Sequence, residues 1–187
     1  MPQTSRYLRK SFFIWGFANI LGICAAAATP FLLSTFRFPQ NVVVSVFFNS
    51  VPIGLAQWLG LRRISRTSIL WIFTVPVGIL IYFLILELIP DGLNVDDESI
   101  AVLTAAYFMI GFAVGLLQWF ILRRQFSGSS LWILGSSAGL GFSFWFILAT
   151  DLINRSGIIS FIVVVLAYII VTGLILIRLL AHPNQVM

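Results

Sequence analysis

In 187 residues the chain carries 60% hydrophobic and only 9% charged side chains, with a mean hydropathy of +1.05. Ordinary soluble domains carry roughly 25% charged residues, so a soluble globule is excluded and an all-α polytopic membrane protein is expected. A net charge of +5 does not point to nucleic acid, because the charges follow membrane orientation. The lone Cys24 excludes an internal disulfide, and no Cys/His cluster is available for zinc or an iron–sulfur centre.

Six apolar spans follow in order, at 11–35, 41–61, 68–90, 99–122, 129–153 and 157–180. Each is close to the ~20 residues that cross a bilayer as a helix. The loops between them are too short to house a soluble domain, so residues 1–187 are read as a single membrane domain. The first span begins after Arg6, Arg9 and Lys10 and contains Ala25-Ala26-Ala27-Ala28, which imitates a secretory signal and its cleavage site. Its apolar run continues to Leu33, longer than a signal core, so it is expected to be retained as helix 1. Ile23 before Cys24 is the wrong size for a lipoprotein site.

The second span ends in Gly54-Leu55-Ala56-Gln57-Trp58-Leu59-Gly60-Leu61-Arg62-Arg63, followed by Trp71 and Gly78. The same pattern returns 61 positions later as Gly115-Leu116-Leu117-Gln118-Trp119-Phe120-Ile121-Leu122-Arg123-Arg124, followed by Trp132 and Gly139. Self-similarity at a fixed period governs the architecture. Trp15 and Gly22 repeat the step from tryptophan to glycine in the first span. Aligning Gly173-Leu174 with Gly115-Leu116 sets Leu176 and Ile177 where Gln-Trp would stand, and Arg178 then falls out of line with the arginine pair. The expected units are three helical hairpins of like orientation, at about 8–61, 62–122 and 123–180, a parallel repeat about an axis normal to the membrane.

Arg6, Arg9, Lys10, Arg62, Arg63, Arg66, Arg123, Arg124 and Arg178 fall on one side of six alternating helices, and only Arg37 and Arg155 on the other. The six acidic residues lie at the opposite ends. The positive-inside rule therefore places both termini in the cytoplasm.

At helical spacing Ser50, Gly54, Gln57 and Leu61 share one face, as do Gly111, Gly115, Gln118 and Leu122. Small residues allow close helix approach, and a glutamine on such a face hydrogen-bonds a neighbouring helix. Alternatively, Gln57, Gln118, Asn19 and Asn49 line a polar ligand site between the hairpins. Glu87, the most deeply placed carboxylate, either joins that site or reaches water at the outer end. Trp15, Trp58, Trp71, Trp119 and Trp132 read as an aromatic belt near the cytoplasmic ends. Arg62, Arg63, Arg66, Arg123 and Arg124, with Trp58 and Trp119, act as topology signals or grip lipid headgroups and an acidic partner, since the guanidinium fork suits phosphate and carboxylate.

Catalytic groups are not expected. Gly135-Ser136-Ser137-Ala138-Gly139 matches G-x-S-x-G in form, but it lies within a helix and the one histidine, His182, is in the tail. Paired-histidine haem is excluded for the same reason. Asp96-Asp97-Glu98 lacks the spaced oxygens of a calcium loop. No metal or cofactor is expected.

The doubled G-L-x-Q-W-x-x-L-R-R with W-x6-G resembles a repeat in multi-pass membrane proteins of cyanobacteria and related bacteria, over about residues 50–145. The resemblance implies class and location, a bacterial inner or thylakoid membrane, and no particular chemistry. The size and helix count are also similar to substrate-capturing S-components of energy-coupling-factor vitamin transporters. The expected function is a non-catalytic accessory or assembly subunit of a membrane complex, or a lipid-interacting one. Its partners would be the bilayer, with anionic lipids at the cytoplasmic face, and another membrane protein. The alternative is a small-solute binding or transport protein.

Overall fold

The computed structural model describes residues 2–35, 42–87, 100–150 and 156–183. They form α1 (Pro2–Thr35), α2 (Val42–Leu61), a 3₁₀ turn (Ile69–Phe73), α3 (Thr74–Glu87), α4 (Ile100–Leu122), α5 (Leu131–Ala149) and α6 (Gly157–Ala181). Among the described residues four segments are long and apolar enough to cross a membrane: Ser5–Pro30, Ile100–Leu122, Leu131–Ala149 and Ile162–Ala181. At 1.5 Å per residue α1 is about 51 Å long, well beyond the ~30 Å of a hydrocarbon core. Large apolar side chains face outward around the molecule, among them Phe13, Phe17, Leu84, Leu134, Phe142 and Leu174. A water-facing monomer rarely leaves so much apolar surface exposed, and a membrane protein presents it to lipid.

The helices form a ring. Each packs against the next, and α6 returns to α1. Glycines set the closest approaches. A Cβ on Gly22 of α1 would meet Ile53 Cα at 2.8 Å, one on Gly78 of α3 would meet Val114 Cα at 2.9 Å, and one on Gly139 of α5 would touch Tyr168 Cδ2 at 3.2 Å. In α2 and α4 the faces expected from spacing are inward: Ser50, Gly54, Gln57 and Leu61, and Gly111, Gly115, Gln118 and Leu122, are all buried.

The basic segments meet at one end of the ring. Tyr7 Oη donates to the Ile64 carbonyl (3.0 Å), Gln125 Nε2 to the Arg66 carbonyl (2.9 Å) and Ser127 Oγ to the His182 carbonyl (3.1 Å). An isolated bridge pairs Phe126 with Pro183. The start of α1, the α2–α3 and α4–α5 connections and the end of α6 are thus tied together. Beneath this end lies the core cluster of Trp15, Leu61, Trp71, Leu122, Phe126, Trp132, Leu176 and Leu179.

Candidate functional site

The site begins with two equivalent bonds. Gln57 on α2 accepts at Oε1 from the Trp71 indole Nε1 (3.1 Å), and Gln118 on α4 accepts at Oε1 from Trp132 Nε1 (2.7 Å). The local chain explains how each indole arrives. Ser68 Oγ accepts from the Leu70 amide and caps the 3₁₀ turn, and Thr74 Oγ1 donates to the Trp71 carbonyl at its end (2.8 Å). That tight turn directs Trp71 inward. In the later copy the chain enters α5 directly at Leu131, one residue before Trp132.

Around these two bonds the amides satisfy one another. Gln57 Nε2 donates to Asn19 Oδ1 (2.8 Å), and Asn19 Nδ2 donates to the Trp15 carbonyl (2.9 Å). Gln118 Nε2 lies 3.3 Å from Gln57 Oε1 and 3.2 Å from Thr74 Oγ1, donating to both. Asn19, Gln57 and Gln118 are at most 1% exposed. A buried amide without partners costs far more than a bonded one gains, so this mutual saturation is what allows three of them in an apolar bundle. Ser136 Oγ, on α5, is buried with no hydrogen-bond partner among the described residues.

Trp15, Trp71 and Trp132 are fully buried, not members of an interfacial belt. Their rings pack edge to face, Trp132 in the middle, with centroids 5.4 Å from Trp15 and 5.9 Å from Trp71. Such pairs add about 0.5–1.5 kcal/mol beyond the area they bury. The belt expectation fails for these three because nearness to a helix end fixes depth but not the direction in which a side chain points.

Trp15 has its own partner on α6, donating from Nε1 to Thr172 Oγ1 at 3.0 Å. Thr172 therefore stands where the glutamines stand on α2 and α4. Two further contacts give the same register. Tyr168, four before Thr172, receives Gly139, just as Ile53 and Val114, four before each glutamine, receive Gly22 and Gly78. Ile169, three before Thr172, contacts Gly16, while Gly54 and Gly115, three before each glutamine, contact Ile72 and Ile133. The match of Gly173 with Gly115 is corrected by one helical turn. Leu176 then joins Leu61 and Leu122, and Arg178 takes the place of Arg63 and Arg124.

The remaining candidates lie apart. Asn49 is two turns before Gln57 on α2, and its buried Oδ1 has no partner. Glu87 ends α3, and its side chain lies outside the described residues, as do Arg37, Arg155 and the acidic loop. Trp58 and Trp119 are half-buried at the basic end. The Arg62 guanidinium lies over the Trp58 ring at 4.7 Å, and that of Arg123 lies over Trp119 at 5.3 Å and Phe120 at 4.7 Å. Trp58 Nε1 donates to the Thr67 carbonyl. Arg63, Arg66 and Arg124 are exposed. Among the described residues no three His, Cys, Asp or Glu side chains gather as a metal site.

The indoles and Thr74 and Thr172 were the parts missing from the sequence reading. The available signal was the spacing of 14 between glutamine and the second tryptophan in both copies. No family model, curated protein or solved structure matches the chain.

Proposed function

We propose that the chain is a six-helix integral membrane protein of three like-oriented units, both termini cytoplasmic, that acts without catalysis as a lipid-interacting accessory subunit of a membrane assembly. One observation carries this reading. The amides of Asn19, Gln57 and Gln118 are occupied by one another and by indoles, while the cations among the described residues are exposed on the single end where four segments are tied together. The polar groups in the middle hold the bundle, and the exposed rim presents positive charge to whatever lies beyond it.

The equivalent contacts of α2 with α3, α4 with α5 and α6 with α1 support a threefold arrangement about an axis normal to the membrane. In that arrangement α2 (20 residues) spans with the four segments named above, and α3 spans together with its 3₁₀ turn. A bacterial inner or thylakoid membrane is its proposed location. The solute-site alternative loses support at Gln57 and Gln118, whose amides make the bonds a ligand would need.

Labelling tests the orientation. In a Cys24→Ser background, Arg63→Cys and Arg124→Cys should resist a membrane-impermeant maleimide applied to intact cells, and Asp97→Cys should react. Reaction of either rim position from outside, or protection of Asp97, ends the reading. Gentle detergent extraction with mass spectrometry should recover a stoichiometric anionic lipid or protein partner; a bare monomer would overturn the accessory role.

A further inference from the structure

The rim is not uniform. Between α1 and α2 a groove of about 850 Å³ opens on the outer surface of the bundle, with Arg6, Arg9, Lys10 and Arg63 at its mouth. We propose that this groove is a specific site for one anionic phospholipid, its phosphate held at the mouth and one acyl chain lying in the trench. The proposal rests on the membrane reading above and narrows it to a place and a ligand class.

Small residues create the groove. A Cβ on Gly60 of α2 would come within 2.8 Å of Ala18 Cβ on α1, so the two helices meet closely along that line. The large side chains beside the line splay outward, leaving Phe17 68% and Leu59 43% exposed as opposite walls. Along α1 the apolar lining from Phe13 to Leu21 runs about 12 Å, close to one leaflet's share of a ~30 Å hydrocarbon core. A free phosphate would have no use for such a trench, and an acyl chain fills it.

The mouth asks for an anion. Arg6, Arg9 and Lys10 stand at i, i+3 and i+4 on α1, where like charges repel and weaken a helix. Arg63 adds a fourth cation from α2. None of the six carboxylates is near in sequence, since all lie at 87–98 and 151. Arg62 and Arg123, by contrast, lie over aromatic rings. An arginine fork binds phosphate oxygens bidentately, and each basic residue near an anionic headgroup adds attraction. Apolar depth and cationic mouth together fit the two ends of one lipid molecule.

The test is competition between lipids of matched chains, phosphatidylglycerol against phosphatidylcholine, read by native mass spectrometry of the whole protein released from mixed-lipid nanodiscs. Wild type should retain one phosphatidylglycerol with at least about fivefold preference. Arg9→Gln with Arg63→Gln should remove most of that preference, and Leu59→Trp, which fills the trench and keeps every charge, should lose the bound lipid. Arg62→Gln with Arg123→Gln should retain it. Equal retention of both lipids by wild type needs no variant to fold and overturns the proposal, as does preference unchanged by either groove variant, or a second copy of the chain crosslinked through the groove. Orientation is checked in the same preparations by the labelling above. A correctly oriented protein without lipid preference sinks the groove alone, whereas recovery in the aqueous fraction or inverted labelling sinks the membrane reading itself.

Discussion

The Gln57–Trp71 and Gln118–Trp132 pairs are built from the same residues at the same spacing, while the third contact of this kind, Trp15 with Thr172, is built from different ones across the opening and closing helices. In the first two the small residue is on the even helix, Gly54 or Gly115, and the isoleucine opposite it is Ile72 or Ile133. In the third the two have changed places, Gly16 against Ile169. What recurs three times is therefore a geometry, an indole N–H delivered to an oxygen beside a close approach of backbones. The side chains that achieve it are replaceable.

That comparison predicts an asymmetry between single methyl groups. At Gly54 an added Cβ would run into the Ile72 carbonyl, which is backbone and cannot swing aside. Gly54→Ala should therefore cost about 3 kcal/mol, the upper end of ordinary overpacking. At Gly16 the same methyl would lie 3.4 Å from Ile169 Cγ2, an ordinary contact. Gly16→Ala should stay within about 0.5 kcal/mol of wild type or gain slightly from helix propensity. Denaturant unfolding in a mild detergent measures both. Equal losses would mean that the reversed pair is as tight as the others.

The tryptophans allow a second break. Gln57 Oε1 accepts from both Trp71 and Gln118, so Trp71→Phe leaves it one donor. Gln118 Oε1 accepts from Trp132, and Trp132 also packs against both other rings. Trp132→Phe should cost about 2 kcal/mol, from a buried acceptor left short and two ring contacts weakened. Trp71→Phe should cost about 1 kcal/mol less. The reverse order would mean that the central ring is not the one that holds the cluster.

These contacts also mark what was legible in the chain. The inward faces of α2 and α4 followed from helical spacing alone, and so did the glutamines' place on them, because a face is a property of one helix. Bonding between Gln57 and Gln118 joins two helices whose angular relation no periodicity records. Trp58 and Trp71 illustrate the same limit. Both lie near the basic end, yet Trp58 is half-buried beside Arg62 and Trp71 is sealed in the core, because Trp58 is rotated about 100° from Gln57 on the same helix while the 3₁₀ turn aims Trp71 inward. The register of α6 was hidden for another reason. A slip of four residues is almost one full helical turn of 3.6, so the pattern of buried and exposed positions barely changes. In a helix rich in leucine and isoleucine, a Gly-Leu match is then a weak guide. The α1–α2 groove was equally out of view, since it arises from Ala18 and Gly60 meeting across two helices.

A modest effect at Thr172 is the most informative about ring closure. Thr172 Oγ1 accepts from Trp15 Nε1 and donates to the Tyr168 carbonyl of its own helix (2.7 Å). Thr172→Val keeps the shape and leaves the indole N–H without its acceptor. Hydrogen bonds between helices in a membrane average about 0.6 kcal/mol and reach about 1.7, so a loss of roughly 1 kcal/mol is expected, with Thr172→Ser restoring most of it. That rescue separates the hydrogen bond from packing, because serine lacks the methyl but retains the hydroxyl. If valine is neutral and serine is the costlier change, α1 and α6 are held by shape alone. The third contact would then share only its outline with the two glutamine pairs.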